Sequence, residues 1–312
     1  MKLSVVIPVF NEEAVLPLLF AKLYAVLDGM DTSYEVVFVD DGSTDRSVAL
    51  LDAQFEQRPA VTQVVALARN VGQHLAILAG FDHARGDYVL TLDADLQNPP
   101  DEIPRVFEAL ESGADYVGTI RRSRHDAWWR RAASGAINRL RERTTRIHLA
   151  DHGCMLRAYD RRIIDLLRQC RERNLFIPAL AYTLARRPVE IEVAHDERAA
   201  GQSKYSFARL VRLNFDLMTG FSLAPLQAFS FAGVTIALAS MLFVGYLAVR
   251  RLLVGPEAQG VFTLFGIAFF LIGVLLMGLG IVGEYVGRIY EQVRDRPRYV
   301  IASVRSATGQ PE

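Results

Sequence analysis

The chain has 312 residues, 51% of them hydrophobic, and its 35 basic side chains balance its 35 acidic ones. That length holds one large domain with an appendage or two modest domains. Two cysteines, Cys154 and Cys170, exclude a disulfide framework and lack the paired spacing of a zinc site, so a reducing compartment is expected. The balanced charge conceals a segregation: nine arginines against Asp126 and Glu142 fall between Arg121 and Arg146. Such a patch calls for an acidic partner or a solvated face.

From the N-terminus, the first apolar stretch is broken by Pro8 and Asn11, too early for a secretory signal. The first domain is therefore expected in the cytoplasm. β-Branched runs recur at residues 3–9, 35–40, 63–67, 88–92 and 115–119, and segments of helical period lie between them at 14–27, 45–55, 72–84 and 100–111. Strands alternating with helices predict an α/β fold, a mostly parallel sheet covered on both faces. Ligands of such sheets collect at the carboxyl ends of the strands. Those ends carry Asn11-Glu12, Asp40-Asp41-Gly42-Ser43, Arg69-Asn70, Asp93-Ala94-Asp95 and Arg121.

Gly42 permits a tight turn after Asp40-Asp41, and Ser43 or Thr44 can cap the helix that follows. Either a plain strand-to-helix turn or acceptance of hydrogen bonds from a base or ribose by Asp40 or Asp41 fits this segment, and its place on the rim favours the second. Asp93 and Asp95 fall on the same face of an extended chain. One carboxylate can meet a ribose while the other takes a hard cation, Mg²⁺ or Mn²⁺, with Gln97 as a further oxygen on that face.

The segment 128–146 opens with Trp128-Trp129-Arg130-Arg131 and then repeats Ala133, Ile137 and Leu140 at helical spacing. It reads as a basic helix in a lipid headgroup layer; nucleic acid is the rival partner of any basic stretch and is set aside because the chain also holds membrane segments. Arg121 and Arg122, nearest the sheet, are best placed to grip a phosphate. Asp151 is either a base or acceptor-orienting group or a structural cap. An acceptor that is already a phosphate dianion hardly needs a base. Arg198-Ala199-Ala200-Gly201-Gln202-Ser203-Lys204-Tyr205 is a polar loop able to close over a diphosphate. The histidines form no zinc pattern.

No charge occurs in residues 217–249 or 258–283, and about 20 apolar residues span a bilayer as a helix. Two transmembrane helices are therefore expected, at about 223–249 and 260–283. Lys204, Arg209 and Arg212 before the pair and Arg288, Arg294, Arg296, Arg298 and Arg305 after it outweigh Arg250 and Arg251 between them, which puts both flanks in the cytoplasm. The expected layout is a catalytic domain over 1–200, a juxtamembrane segment over 201–222, a hairpin over 223–284 and a basic tail over 285–312.

Taken together, Val5-Val6-Ile7-Pro8-Val9-Phe10-Asn11-Glu12-Glu13, Asp40-Asp41-Gly42-Ser43, Asn70-Val71-Gly72-Gln73, Asp93-Ala94-Asp95-Leu96-Gln97 and Gly201-Gln202-Ser203-Lys204-Tyr205 resemble family-2 glycosyltransferases with a GT-A fold. With the membrane pair, the chain is similar to the branch that glycosylates polyprenyl phosphates. A narrower likeness is to bacterial transferases of 4-deoxy-4-formamido-L-arabinose onto undecaprenyl phosphate in lipid A modification, carried by Asp151-His152-Gly153-Cys154-Met155-Leu156-Arg157 and Gly283-Glu284-Tyr285-Val286-Gly287-Arg288 among others. Transferases of glucose share several of these motifs, so the sugar stays open at this point.

The resemblance implies that Pro8, Glu12 and Asp40 hold uridine, that Asp93 meets the UDP-sugar, and that Asp95 and Gln97 bind Mg²⁺ or Mn²⁺. It implies that Arg121 and Arg131 face the acceptor phosphate, and Arg198 and Lys204 the donor diphosphate. It places the protein in the bacterial inner membrane among lipids, with undecaprenyl phosphate as acceptor; whether copies assemble into an oligomer is left open. Of the rivals, a processive polysaccharide synthase would carry a Gln-x-x-Arg-Trp motif and more membrane helices. A catalytically silent scaffold for nucleotide-sugars would not need the acidic and basic sets together.

Overall fold

Four short runs of Val, Ile and Leu build the centre of the molecule: β1 (Leu3–Val9), β2 (Tyr34–Asp40), β3 (Thr62–Leu67) and β4 (Tyr88–Thr91). Nearly every residue in them is buried, which marks parallel strands covered on both faces. A computed structural model of the chain describes residues 1–121, 151, 154–170, 176–194, 224–255, 261–294 and 297–307. The basic segment 128–146, Arg122, Arg131, Arg198 and Lys204 lie outside the described residues.

Helices α1 (Leu16–Asp28), α2 (Ser47–Gln57) and α3 (Gln73–His83) make the crossovers, and a 3₁₀ turn at Pro100–Glu102 leads into α4 (Ile103–Glu111). Next come β5 (Tyr116–Arg121), β6 (Arg157–Asp160), α5 (Arg161–Gln169), α6 (Ile177–Leu184) and β7 (Pro188–Val193). Two long helices follow, α7 (Ala224–Val254) and α8 (Val261–Val293), and the last element is β8 (Ile301–Arg305).

The eight strands form one sheet in the order β7-β5-β6-β4-β1-β2-β3-β8. Pairing is parallel for β1 with β2 and β4, for β2 with β3 and for β5 with β7; β6 and β8 run antiparallel to their neighbours. Because β6 opposes both β4 and β5, those two point the same way. The carboxyl ends of β1 to β5 and β7 thus share one edge, and the start of β6 lies on that edge too. Helix α3 lies hard against the sheet: a Cβ on Gly80 would sit 2.3 Å from Cγ1 of Val6. Only glycine admits that approach, and it fixes where the first turn of α3 meets the edge.

The chain divides into an α/β unit, which holds the sheet, and a second unit that contains α7 and α8. Both helices are long enough and apolar enough to cross a membrane, over Leu226–Phe243 and Ile267–Gly287. Their large side chains are exposed, Phe231 at 77%, Met241 at 75% and Leu252 at 86%. Helix α8 runs ten residues past the predicted span, and part of the region expected to be a basic tail is strand β8. Ile-Ala-Ser-Val-Arg is too short and mixed to read as a strand alone. The open edge of β3 supplies the pairing partner.

Candidate active site

Two loops on the shared edge are zipped by reciprocal hydrogen bonds. After β1, the backbone amides of Asn11, Glu12 and Glu13 donate to Ser43 Oγ (3.0 Å), Ser47 Oγ (2.9 Å) and Asp45 Oδ2 (3.1 Å). After β2, the amides of Thr44 and Arg46 return bonds to Asn11 Oδ1 (2.8 Å) and Glu13 Oε2 (3.0 Å). Asn11 adopts a left-handed backbone, φ 55°, which asparagine tolerates better than most side chains.

The third loop, after β3, is fastened to the second. Asp41 accepts from the amides of Val71 (2.7 Å) and Gly72 (2.9 Å) and is 3% exposed, while Asp40 accepts from Gly42 (3.1 Å) and Ser43 (3.2 Å) within its own turn. Burial pushes the Asp41 carboxyl above its ordinary range against the pull of the two amides, and nearby Asp40 adds to the rise. Gly42 has φ 71°, and a Cβ there would lie 2.7 Å from the backbone of Arg69 and Asn70. The three loops therefore form one braced wall.

The turn after β4 is built differently. Leu92, Ala94, Leu96, Asn98 and Pro100 are buried, and Asp93, Asp95, Gln97 and Pro99 between them are half-exposed. The alternation expected of an extended chain survives in a turn, so both carboxylates and the Gln97 amide share the open side. Leu96 holds φ 59°, a left-handed conformation disfavoured by about 1–2 kcal/mol for a residue with a Cβ. Asn11 and Leu96 are the two such non-glycine residues among those described, and both lie on this edge. Strain concentrated at one place is a mark of function. Asp95 Oδ1 caps the Gln97 amide at 3.1 Å, and the side-chain amide of Gln73, the first residue of α3, donates to Asp93 Oδ1 at 2.5 Å.

Beside that turn, Arg157 is fully buried; it donates from Nε to the carbonyl of Cys154 (2.8 Å), from Nη2 to that of Asp151 (2.6 Å) and from Nη1 to the Tyr116 hydroxyl. This guanidinium pins the segment through which the chain enters β6, and with it Asp151, itself 3% exposed. Cys154 bonds Thr119 Oγ1 (2.8 Å) and Asn98 Oδ1 (3.3 Å), and burial raises its thiol pKa. His74, next to Gln73, is driven down to about 4 by burial and by the Arg157 charge, and its Nδ1 is buried without a partner among the described residues. Among the described residues no three His, Cys, Asp or Glu side chains form a metal-holding group. The half-exposed Asp95 and Gln97 could offer oxygens to a hard cation that takes its remaining ligands from a diphosphate and water.

A family model described as glycosyl transferase family 2 matches residues 4–167, more than half of the chain. The chain belongs to this family. Its sheet, mostly parallel with antiparallel β6 and β8, is GT-A-like. The enzyme is 50% identical to an undecaprenyl-phosphate 4-deoxy-4-formamido-L-arabinose transferase of Aeromonas hydrophila subsp. hydrophila, across 98% of this chain and 94% of that one. It is 51% identical to a protein of the same name from Edwardsiella ictaluri, across 99% and 95%. Glucosyl-3-phosphoglycerate synthase from Mycobacterium tuberculosis, solved in complex with Mn²⁺ and uridine-diphosphate-glucose, overlays with a TM-score of 0.47 at 18% identity, over 70% of this chain and 77% of that one.

On this glycosyltransferase the edge gathers Pro8, Glu12, Asp40, Asp41, Asp93, Asp95 and Gln97 from the ends of β1, β2 and β4, with Asp151 arriving through the entry to β6. Asp40 and Asp41 both give oxygens to backbone amides, a bracing task that the strand-end position alone did not disclose. Arg121 is the last residue of β5, and its side chain is outside what is described. Sequence reasoning passed over Gln73 and Arg157. Gln73 follows Gly72 in a short polar motif that gave it no task, and the burial of Arg157 leaves no signal in the sequence because its carbonyl partners, three and six residues back, and the distant Tyr116 hydroxyl are set around it only by the fold.

Proposed function

We propose that this glycosyltransferase moves 4-deoxy-4-formamido-L-arabinose from UDP to undecaprenyl phosphate, with inversion, at the cytoplasmic face of the bacterial inner membrane. The observation that carries the reading is the near-complete alignment, at about half identity, with relatives of that name. The product would serve lipid A modification and resistance to polymyxin and cationic peptides.

In this reading Pro8, Glu12 and Asp40 seat uridine against the braced wall, and Asp93 meets the donor. Asp95 and Gln97 would hold Mg²⁺ or Mn²⁺, which when bound neutralises diphosphate charge as UDP departs. Arg198 and Lys204 would cover the same diphosphate. Arg121, Arg122 and Arg131 would orient the acceptor phosphate, whose oxygen attacks the anomeric carbon as the bond to UDP breaks. A phosphate with second pKa of about 6 is already a nucleophile at neutral pH, so Asp151 orients the acceptor rather than removing a proton.

The two apolar helices support an acceptor drawn from a membrane. Strand β7 ends at Val193, and the chain returns to the sheet at Val300, whose carbonyl takes the Ala68 amide at 2.8 Å. Both points are on the edge that carries the carboxylates. Two crossings by α7 and α8 return the chain to the side it left, in keeping with the excess of Lys and Arg on the flanks.

The test is purified protein with undecaprenyl phosphate, Mg²⁺ or Mn²⁺ and a panel of UDP-sugars, scored for lipid-linked product. Product from UDP-4-deoxy-4-formamido-L-arabinose alone is expected. Product from UDP-glucose alone would overturn the sugar, and tight UDP binding without product from any donor would overturn the reaction.

A further inference from the structure

We propose that Gln73 is a positioning residue for the transfer: its side-chain amide fixes Asp93 and couples the carboxylate turn to the braced loops. The proposal rests on the reading above in which Asp93 meets the donor. Nε2 of Gln73 lies 2.5 Å from Oδ1 of Asp93, and hydrogen bonds to an ionised acceptor are about twice as strong as neutral ones.

Gln73 is held from both sides. One residue earlier, Gly72 gives its amide to Asp41, so the start of α3 is fastened to the loop after β2. One residue later, His74 has its Nδ1 buried and meets Phe176 edge to face, with ring centroids 5.1 Å apart. Deeper in the same helix, Gly80 is seated on Val6. A donor at this position therefore moves little relative to the sheet. Asp93, by contrast, sits on a turn that leaves its strand at Thr91 and carries the strained Leu96. Gln73 transfers the rigidity of the first wall to the second.

The residue type suits that task. A lysine or arginine here would cancel the charge of Asp93; a glutamate would repel it. A neutral amide orients the carboxylate and leaves its charge intact for the donor's hydroxyls. Asp93 is then an oriented acceptor, and Asp95 with Gln97 is left for the cation.

The experiment uses the full-length protein in detergent, as wild type, Gln73→Ala, Gln73→Glu and Asp95→Asn. It reads kcat, KM for each substrate, the affinity for UDP in the presence of Mn²⁺ by calorimetry, and the melting temperature. Loss of an orienting contact predicts a kcat lower by about tenfold in Gln73→Ala and about a hundredfold in Gln73→Glu. KM for undecaprenyl phosphate and the melting temperature should stay unchanged in both, and Gln73→Glu should bind UDP with Mn²⁺ more weakly than Gln73→Ala. Wild-type kcat in both Gln73 variants beside an inactive Asp95→Asn would overturn the inference and leave the proposed function standing. Equal losses in both variants together with a lowered melting temperature would reduce Gln73 to a structural part. Full activity in Asp95→Asn would remove the proposed metal site and the inference with it.

Discussion

The two walls of the sheet's carboxyl-end edge are secured by opposite means. The loops after β1, β2 and β3 spend their polar groups on one another: Asn11 on Thr44, Glu13 on Arg46, Asp41 on Val71 and Gly72. The turn after β4 buries its apolar side and turns Asp93, Asp95 and Gln97 outward, accepting a strained leucine to do so. A wall whose hydrogen bonds are satisfied internally is shaped before any ligand arrives. A turn with half-exposed carboxylates keeps a face open to what binds to it. Substitutions in the first should therefore register as stability, and substitutions in the second as chemistry.

The largest effect is expected at Asp95. Asp95→Asn should lower turnover by about a thousandfold while the melting temperature is kept, because leaving-group stabilisation suffers and packing does not. Near-normal turnover would erase the contrast. Gly42→Ala should do the reverse, costing about 3 kcal/mol in chemical denaturation from left-handed strain and from the clash with Arg69 and Asn70. Stability within experimental error of wild type would mean that the loops are not braced at that point.

Asn11 separates two causes. Asn11→Ala loses the bond to the Thr44 amide and adds strain at φ 55°, for about 2 kcal/mol; Asn11→Gly loses only the bond, for about 1 kcal/mol. Equal losses would show that strain plays no part. The smallest expected effect belongs to His74. Its folded pKa of about 4 lies below the ordinary histidine value, so the unfolded chain takes up a proton first as pH falls below about 6.5. Its contribution is fully present above that pH and is lost progressively down to about 4. Between pH 7.5 and 5.5 the loss is about 1 kcal/mol, read as a melting-temperature slope that His74→Phe should flatten.

Much of this fold could be read from residue order. Strands β1 to β5 and helices α1 to α4 sit where β-branched runs and helical periods put them, because each run is local and strongly patterned. The edge residues Glu12, Asp40, Asp41, Asp93, Asp95 and Gln97 follow from the rule that a parallel sheet presents its carboxyl ends to ligands. Strand β7, whose Val189, Ile191 and Val193 alternate with Glu190 and Glu192, was legible by the same rule and was passed over; strands β6 and β8 could not be read so. Each is a short segment of mixed polarity whose pairing is decided by a neighbour remote in the chain: Val64 with Arg305 at one edge, Val117 with Ala158 nearer the other.

By itself the sequence determined the kind of fold, the pair of apolar helices and the residue types on the carboxyl-end edge, since periodicity, uninterrupted apolar length and strand-end chemistry are local properties. The tertiary structure decided how those residues divide their work. Asp41 is buried and gives both oxygens to amides of the loop after β3, whereas Asp95 is half-exposed and its Oδ1 caps the Gln97 amide of its own turn; which of these an aspartate does depends on which loop lies across from it. Gln73 likewise became part of the site only when folding set its amide against a carboxylate twenty residues away.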